Sequence, residues 1–235
     1  MCFTKSIEKI IEIARPSIGF IDIKKPEGNG FSVSIRGTAF AVTNEHFISC
    51  YHVYKEVPQE ERQYLGIAIL ENPGETIHKY KRHLIELIDF DEINDIALFK
   101  IKDCSINFKG LQLDDSEKIK EGNEVLYVGF PLATVFLSMK LGVTLVSNKC
   151  IISAIKRKIS DKALSFIQID KHVSSGSSGS PLFLIKTGKV IGLISGHFEK
   201  KSKSVPDVSM PEMMGIARPI GNAIKLLKKQ NIRYA

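Results

Sequence analysis

Nowhere among the 235 residues does an apolar run reach the roughly 18 positions needed to span a bilayer; each run stops within a handful of residues at a charge, a Gly or a Pro. No membrane segment is expected. A secretory leader is also missing, because Met1 to Pro16 scatters Lys and Glu among its isoleucines and offers no uninterrupted apolar region or small-residue cleavage site. The cysteines are few and far apart: Cys2, Cys50, Cys104 and Cys150 form no CxxC pair and no Cys/His cluster at metal-ligand spacing. They read as free thiols, and with the plain N-terminus they give a cytoplasmic protein as the expectation. Internal repeats and low-complexity stretches are lacking too, which sets aside solenoids, arrays and long linkers.

What is present suits an ordinary globular chain. A hydrophobic content of 43% and a mean hydropathy near zero allow one or two substantial cores without metals or crosslinks. The net charge of +7 is concentrated in Lys156-Arg157-Lys158, in the stretch from Glu199 to Lys203, and in Lys225 to Lys229. These clusters lack the interleaved aromatics of a nucleic-acid surface and fall in turns or on one side of a helix, so they read as solvated faces. Nucleic acid is therefore not expected as a partner.

Ile7, Ile10, Ile11 and Ala14 follow the i, i+3, i+4, i+7 rhythm of an amphipathic helix that Pro16 would stop. Ile220, Ala223, Ile224 and Leu227 repeat it near the C-terminus, with Lys225, Lys228 and Lys229 opposite. Between them come short β-branched and aromatic runs broken by turn signals: Phe31 to Ile35, Thr38 to Val42, Gly66 to Leu70, Ile96 to Ile101, Val125 to Phe130, Cys150 to Ile155, Ser165 to Ile169, Pro181 to Ile185 and Val190 to Ser195. Many short strands without intervening helices predict an all-β sandwich or barrel. The polar stretch from Leu113 to Asn123 divides them into two groups. The expected organisation is a helix over 1–15, β-domains over 16–113 and 124–219, a linker over 114–123, and a helix over 220–235.

The chemistry is concentrated in Gly176-Ser177-Ser178-Gly179-Ser180-Pro181. Glycines bracketing serines permit a tight turn that projects a hydroxyl and aims backbone N–H groups at an oxygen turning negative during acyl transfer. A flexible Ser/Gly linker has the same composition. A nucleophilic serine needs a base, and His52 closes the apolar run from Phe47; taken alone, such a residue is more often a structural histidine. Asp95, immediately before the run from Ile96 to Ile101, can supply the acid that orients an imidazole, with Asp89 and Asp91 as competing acids.

The order His, Asp, Ser, with the phrases "GTAFAV…SCYHV", "NDIALFKI" and "GSSGSPL", resembles the trypsin-like serine peptidases, whereas other serine-hydrolase triads run in a different order. Within them the HtrA-like peptidases are the nearest branch, since "EKIIEIARPSIGFIDI", "VGFPL" and "GIARPI" are similar to their leading helix and first strand, their mid-barrel turn and their closing strand. The resemblance spans nearly the whole chain. It implies two antiparallel six-stranded β-barrels with a short N-terminal and a C-terminal helix, and a triad of His52, Asp95 and Ser178 in the cleft between barrels.

It further implies an oxyanion hole from the backbone N–H groups of Gly176 and Ser178, and a Ser195 that supports Asp95 and pairs with substrate backbone. The floor of the specificity pocket would be His172, beside Lys171, giving an acidic preference; alternatively His172 turns outward and leaves an apolar pocket lined by Ile194 and Gly196. Protein or peptide substrates follow, with no metal and no cofactor implied. Four departures stand out. Ser177 and Ser180 replace the residues usual on either side of the nucleophile, and Cys50-Tyr51 replaces small residues before His52. The chain leaves no room for a PDZ domain, and no zymogen-type start is visible. Control would fall to loops, termini or a regulatory partner, such as the Lys-, Ser- and Pro-rich segment from Phe198 to Met213, read either as a gate beside the pocket or as a plain insertion. The competing functional reading is a catalytically silent interaction protein on the same barrels.

Overall fold

The computed structural model describes residues 6–71, 78–102, 108–115, 118–196 and 214–234. Cys2, Cys104, the basic cluster at 199–203 and the segment read as a gate lie outside the described residues. Helix α1 (Ile7–Ala14) begins at Ser6, whose side chain accepts the Lys9 N–H, and it buries Ile10 and Ala14. Pro16 ends it as expected, in a single 3₁₀ turn over Arg15–Ser17.

The first barrel then follows as β1 (Ile18–Glu27), β2 (Gly30–Ala41), β3 (His46–Ser49), a one-turn helix α2 (Tyr51–Lys55), β4 (Leu65–Leu70), β5 (Tyr80–Asp91) and β6 (Ile96–Ile101). The second is built from β7 (Glu124–Gly129), a short helix α3 (Ala133–Ser138), β8 (Val146–Arg157), β9 (Leu164–Ile169), β10 (Pro181–Leu184), β11 (Lys189–Gly196) and β12 (Gly215–Pro219). Helix α4 (Ile220–Lys229) closes the described chain, burying Ile220, Ala223, Ile224 and Leu227 while its lysines face outward.

Each group of six strands closes on itself. The first runs β1-β2-β3-β6-β5-β4 and the second β10-β11-β12-β9-β8-β7, closed by the β1–β4 and β10–β7 pairs. Read from its first strand, the second order is the same as the first, so two sequences without a detectable repeat reach one topology. Closure removes exposed sheet edges. The interiors differ: the first is filled by large side chains such as Phe40, Phe47 and Phe99, each fully buried, while the second packs smaller residues such as Ile152, Ile167, Leu182 and Ile191 around Tyr127. At about 1.5–3 kcal/mol for each fully buried large side chain, these interiors are the main source of stability.

Two expectations need correction. The strands are not free of helices between them, because α2 and α3 interrupt each barrel. His52 also does not close a strand: β3 stops at Ser49, Cys50 is extended and caps the turn, and His52 is the second residue of α2.

Candidate active site

Two acids that competed for His52 are engaged elsewhere. Asp89 accepts from Lys229 Nζ and Gln230 Nε2, both at 2.7 Å, and Asp91 accepts from the backbone and side-chain amide of Asn94. Asp95 lies in the turn before β6 at φ 57°, a left-handed conformation that Asp tolerates better than most residues. From there Oδ1 receives the backbone N–H of His52 at 2.9 Å and Oδ2 receives Nδ1–H of the same residue at 2.8 Å. A third donor, the Ser195 hydroxyl, reaches Oδ2 at 2.6 Å. Burial works to raise the Asp95 carboxyl, but the His52 hydrogen bonds and charge, with Ser195, outweigh it and hold the group below the ordinary carboxylate value. A carboxylate fixed on Nδ1–H leaves Nε2 as the acceptor nitrogen of a neutral ring.

Three serines could have been the nucleophile, and burial separates them. Ser177 and Ser180 are fully buried, their hydroxyls without a hydrogen-bond partner among the described residues, whereas Ser178 is half-buried. Its backbone is pinned on both sides. The Ser178 carbonyl accepts the Thr38 N–H at 2.8 Å, and the next N–H, of Gly179, donates to the Ile194 carbonyl at 2.7 Å. That same carbonyl receives the Cys50 thiol at 3.1 Å.

Strand β11 is therefore the seam of the site. Ile194 holds both the serine loop and the segment leading to His52, Ser195 holds Asp95, and Gly196 faces the serine hydroxyl. Gly196 adopts φ +91°, and a Cβ added there would stand 3.7 Å from Ser178 Oγ. Among the described residues no hydrogen bond joins the Ser178 hydroxyl to His52. Bonds of this kind are commonly long in a free enzyme and tighten around substrate.

The backbone before Ser178 forms a tight turn in which the Ser177 N–H donates to the Ser174 carbonyl at 3.1 Å and Gly176 sits at φ +89°. No other residue fits at 176, since a Cβ would lie 2.4 Å from the Phe130 carbonyl. The Ser175 carbonyl is held by the Leu132 N–H at 2.8 Å, and the Gly176 carbonyl by the Thr38 hydroxyl at 2.8 Å. A trans peptide points its C=O and N–H in opposite directions, so anchoring Ser175 on Leu132 turns the Gly176 N–H away from Leu132. Thr38 thus holds two carbonyls of the serine loop from the other barrel.

Cys50, His52 and Asp95 also bring ligand atoms within 4.8 Å of one another. Burial pushes the Cys50 thiol well above its ordinary value, with the Asp95 charge adding to it. A neutral thiol committed to a carbonyl is a poor metal ligand, so the cluster is a hydrogen-bonded array.

Not all the residues singled out in the sequence converge here. Ile194, Ser195 and Gly196 do, with Ile194 fully buried. His172 is exposed, as is Lys171, and its backbone carbonyl accepts the Tyr127 hydroxyl at 3.1 Å. That exposure is compatible with the outward-turned alternative. Three contributors had no recognisable signal: Leu132, which anchors the turn through its backbone, Tyr127, and the side chain of Thr38, which a glycine-flanked strand start hardly distinguishes from packing.

Residues 37–193 match the model of the trypsin-like peptidase domain. Curated relatives include probable periplasmic serine endoproteases, DegP-like, from Marinomonas sp. (strain MWYL1), 29% identical over 72% of this chain and 29% of that protein, and from Brucella suis biovar 1 (strain 1330), 31% identical over 76% of this chain and again 29% of the relative. This chain thus spans less than a third of the length of either. Among solved structures, the crystal structure of Deg5 superposes with a TM-score of 0.66 at 18% identity, covering 93% of this chain and 90% of that one, and agrees in fold.

The relatives' names point to the periplasm and overturn the cytoplasmic expectation. The cysteine argument behind it was weak physically, since Cys50 and Cys150 are buried free thiols and burial pushes the Cys150 thiol up to about 12; such thiols survive in either redox setting. With its matched residues, its two closed barrels and its relatives, this chain belongs to the family of trypsin-like peptidase domains.

Proposed function

We propose that the chain is a serine endopeptidase acting on peptide or protein substrates. Ser178 Oγ attacks the scissile carbonyl carbon while His52 Nε2 takes the hydroxyl proton, and Asp95, on Nδ1–H, orients the ring and stabilises the imidazolium that forms. The developing oxyanion is received by the N–H groups of Gly176 and Ser178, each such donor being worth about 10²–10³ in rate. Collapse of the tetrahedral adduct returns the proton from His52 to the leaving amine. Water, activated by the same imidazole, then hydrolyses the acyl-enzyme.

The observation that carries this reading is the seam along β11: three consecutive residues hold the serine loop, the acid and the approach to the serine hydroxyl in one register. Ile194 and Gly196, beside Ser178, suit apolar side chains in the substrate. The missing Ser178–His52 hydrogen bond is the single feature that favours a silent interaction protein on the same barrels.

A fluorophosphonate probe separates the two, since only an activated serine is labelled. Labelling is expected in the wild-type protein, in Ser177→Ala and in Ser180→Ala, and is abolished in Ser178→Ala with little change in melting temperature. Labelling that persists in Ser178→Ala overturns the assignment, and an unlabelled wild-type protein supports the silent reading.

A further inference from the structure

Helix α3 is built the wrong way round for a surface helix. Of the fifteen large apolar residues exposed among those described, five lie between positions 132 and 141: Leu132, Val135, Leu137, Met139 and Leu141. Leu132, Val135, Phe136 and Met139 stand at i, i+3, i+4 and i+7, so they share one face, and Val135 and Met139 are 48% and 62% exposed. A face of this kind normally packs on a core; here Phe136 is half-buried while Leu132, Val135 and Met139 are exposed.

What holds α3 in place is its backbone and its small residues. Leu132, at φ 54°, caps the helix and gives its N–H to Ser175; Ala133 is buried; and the Thr134 hydroxyl donates to the Ile35 carbonyl at 3.1 Å. The far end is closed by Lys140 at φ 59°, with the Leu141 N–H on the Phe136 carbonyl. The helix is fixed at both ends with its large side chains left over, an arrangement that presents them.

Its position says to what. On one side of Ser178 lies Gly196, on the strand along which the acyl half of a substrate would pair. On the other side lie the Gly176 turn and the β2 residues Ile35 to Gly37, and α3 is hydrogen-bonded to both. An extended chain that pairs with Ser195 and Gly196 and crosses Ser178 emerges over the Gly176 turn and meets α3. The six helical residues cover about 9 Å along the axis, the length of about three extended residues at roughly 3.3 Å each.

We propose that the exposed face of α3 is the docking site for the leaving-group half of the substrate, and that it selects peptides with apolar side chains two and three residues beyond the scissile bond. This rests on the serine endopeptidase reading and adds a substrate class to it. Continuity with the nucleophile's own turn argues for substrate here over a distant partner, because a chain in the cleft cannot reach beyond the turn without lying against the helix.

The test compares wild-type protein with Val135→Glu and Met139→Glu, both at exposed positions where folding is not at stake. Each is given the fluorophosphonate probe, a coumarin amide with nothing beyond the scissile bond, and quenched peptides that differ only in Leu or Ser at the second and third residues past the cut. The wild-type protein is expected to cut the Leu peptides about tenfold faster in kcat/KM, the equivalent of burying roughly half a leucine side chain. Both variants are expected to lose that preference while labelling and coumarin release stay unchanged. Equal rates on Leu and Ser peptides in a labelled wild-type protein overturn the proposal, as does a preference that survives in both variants. If the glutamates instead turn an oligomer into a monomer by sedimentation and leave peptide preference intact, the face joins copies of this chain and the proposal fails. A wild-type protein that neither labels nor cuts overturns the peptidase reading itself, and this inference with it.

Discussion

Asp22 and Asp95 are both largely buried carboxylates in the first barrel, and although burial works to raise both, they end on opposite sides of the ordinary value. Asp22, on β1, is 4% exposed at its side chain and pairs with the permanent cation of Arg82 at 2.6 Å; burial nevertheless lifts its carboxyl above the ordinary value. Asp95 is 15% exposed and is held low by the hydrogen bonds and charge of His52, with Ser195. The difference lies in donors. Arg82 gives Nε to Asp22 and spends another nitrogen on the Tyr64 carbonyl, whereas Asp95 collects the His52 backbone, the His52 ring and Ser195. A carboxylate surrounded by donors stays charged in a site that must stabilise a transient cation; one facing a single cation holds two strands together at the cost of its own desolvation.

Asparagine at each position separates the roles. Asp95→Asn is expected to lower kcat/KM by up to about 10⁴, because an amide cannot hold the imidazole in the required tautomer or stabilise its charge, while unfolding changes little. Asp22→Asn is expected to leave kcat/KM per folded molecule unchanged and to show itself only in chemical denaturation, because Asp22 touches Arg82 and no member of the His52 cluster. Comparable activity losses in the two variants would break the comparison. A smaller step is Ser195→Ala, which removes one donor of three and is expected to slow kcat/KM roughly tenfold, in the range of one hydrogen bond to a charged group. A loss as large as that of Asp95→Asn would mean that Ser195 does more than hold the acid.

The same contrast explains what could be read in the sequence. An acid immediately before the apolar run singled out Asp95, which the structure pairs with His52, and flanking glycines singled out the Ser178 loop, which the structure ties to β11. The strand pattern of β2, β4, β6 and most of the second barrel came through where β-branched residues run unbroken. Strand β5 did not, since Lys81, Arg82, His83, Glu86 and Asp89 break up its alternation, and the partner that explains Arg82 lies sixty residues away on β1. Helix α3 was hidden for a different reason: at six residues, Ala133–Ser138, it is too short for a helical period to stand out from the surrounding strand pattern. Counting back from Ser178 to His172 could not reveal that Tyr127 takes hold of its backbone.

The smallest expected effect is on stability against pH, and its sign differs between the two carboxylates. Asp95 has a folded value below the ordinary one of about 3.9, so its contribution is fully present above that value and disappears as pH falls through the lower, folded one. Removing the carboxyl in Asp95→Asn should therefore flatten the acid limb, and the variant should lose less stability than the wild-type protein on going from pH 5 to pH 2. Asp22 has a folded value above the ordinary one. The folded state binds its proton more readily than the unfolded state does, so ionisation of this group costs stability as pH rises through the window between the two values. Asp22→Asn should accordingly lose less than the wild-type protein on going upward through that window. Urea midpoints measured at half-unit intervals from pH 2 to pH 7 give both differences in one series. Acid limbs that change in the same direction in the two variants would mean that burial, and not the number of donors, governs both groups.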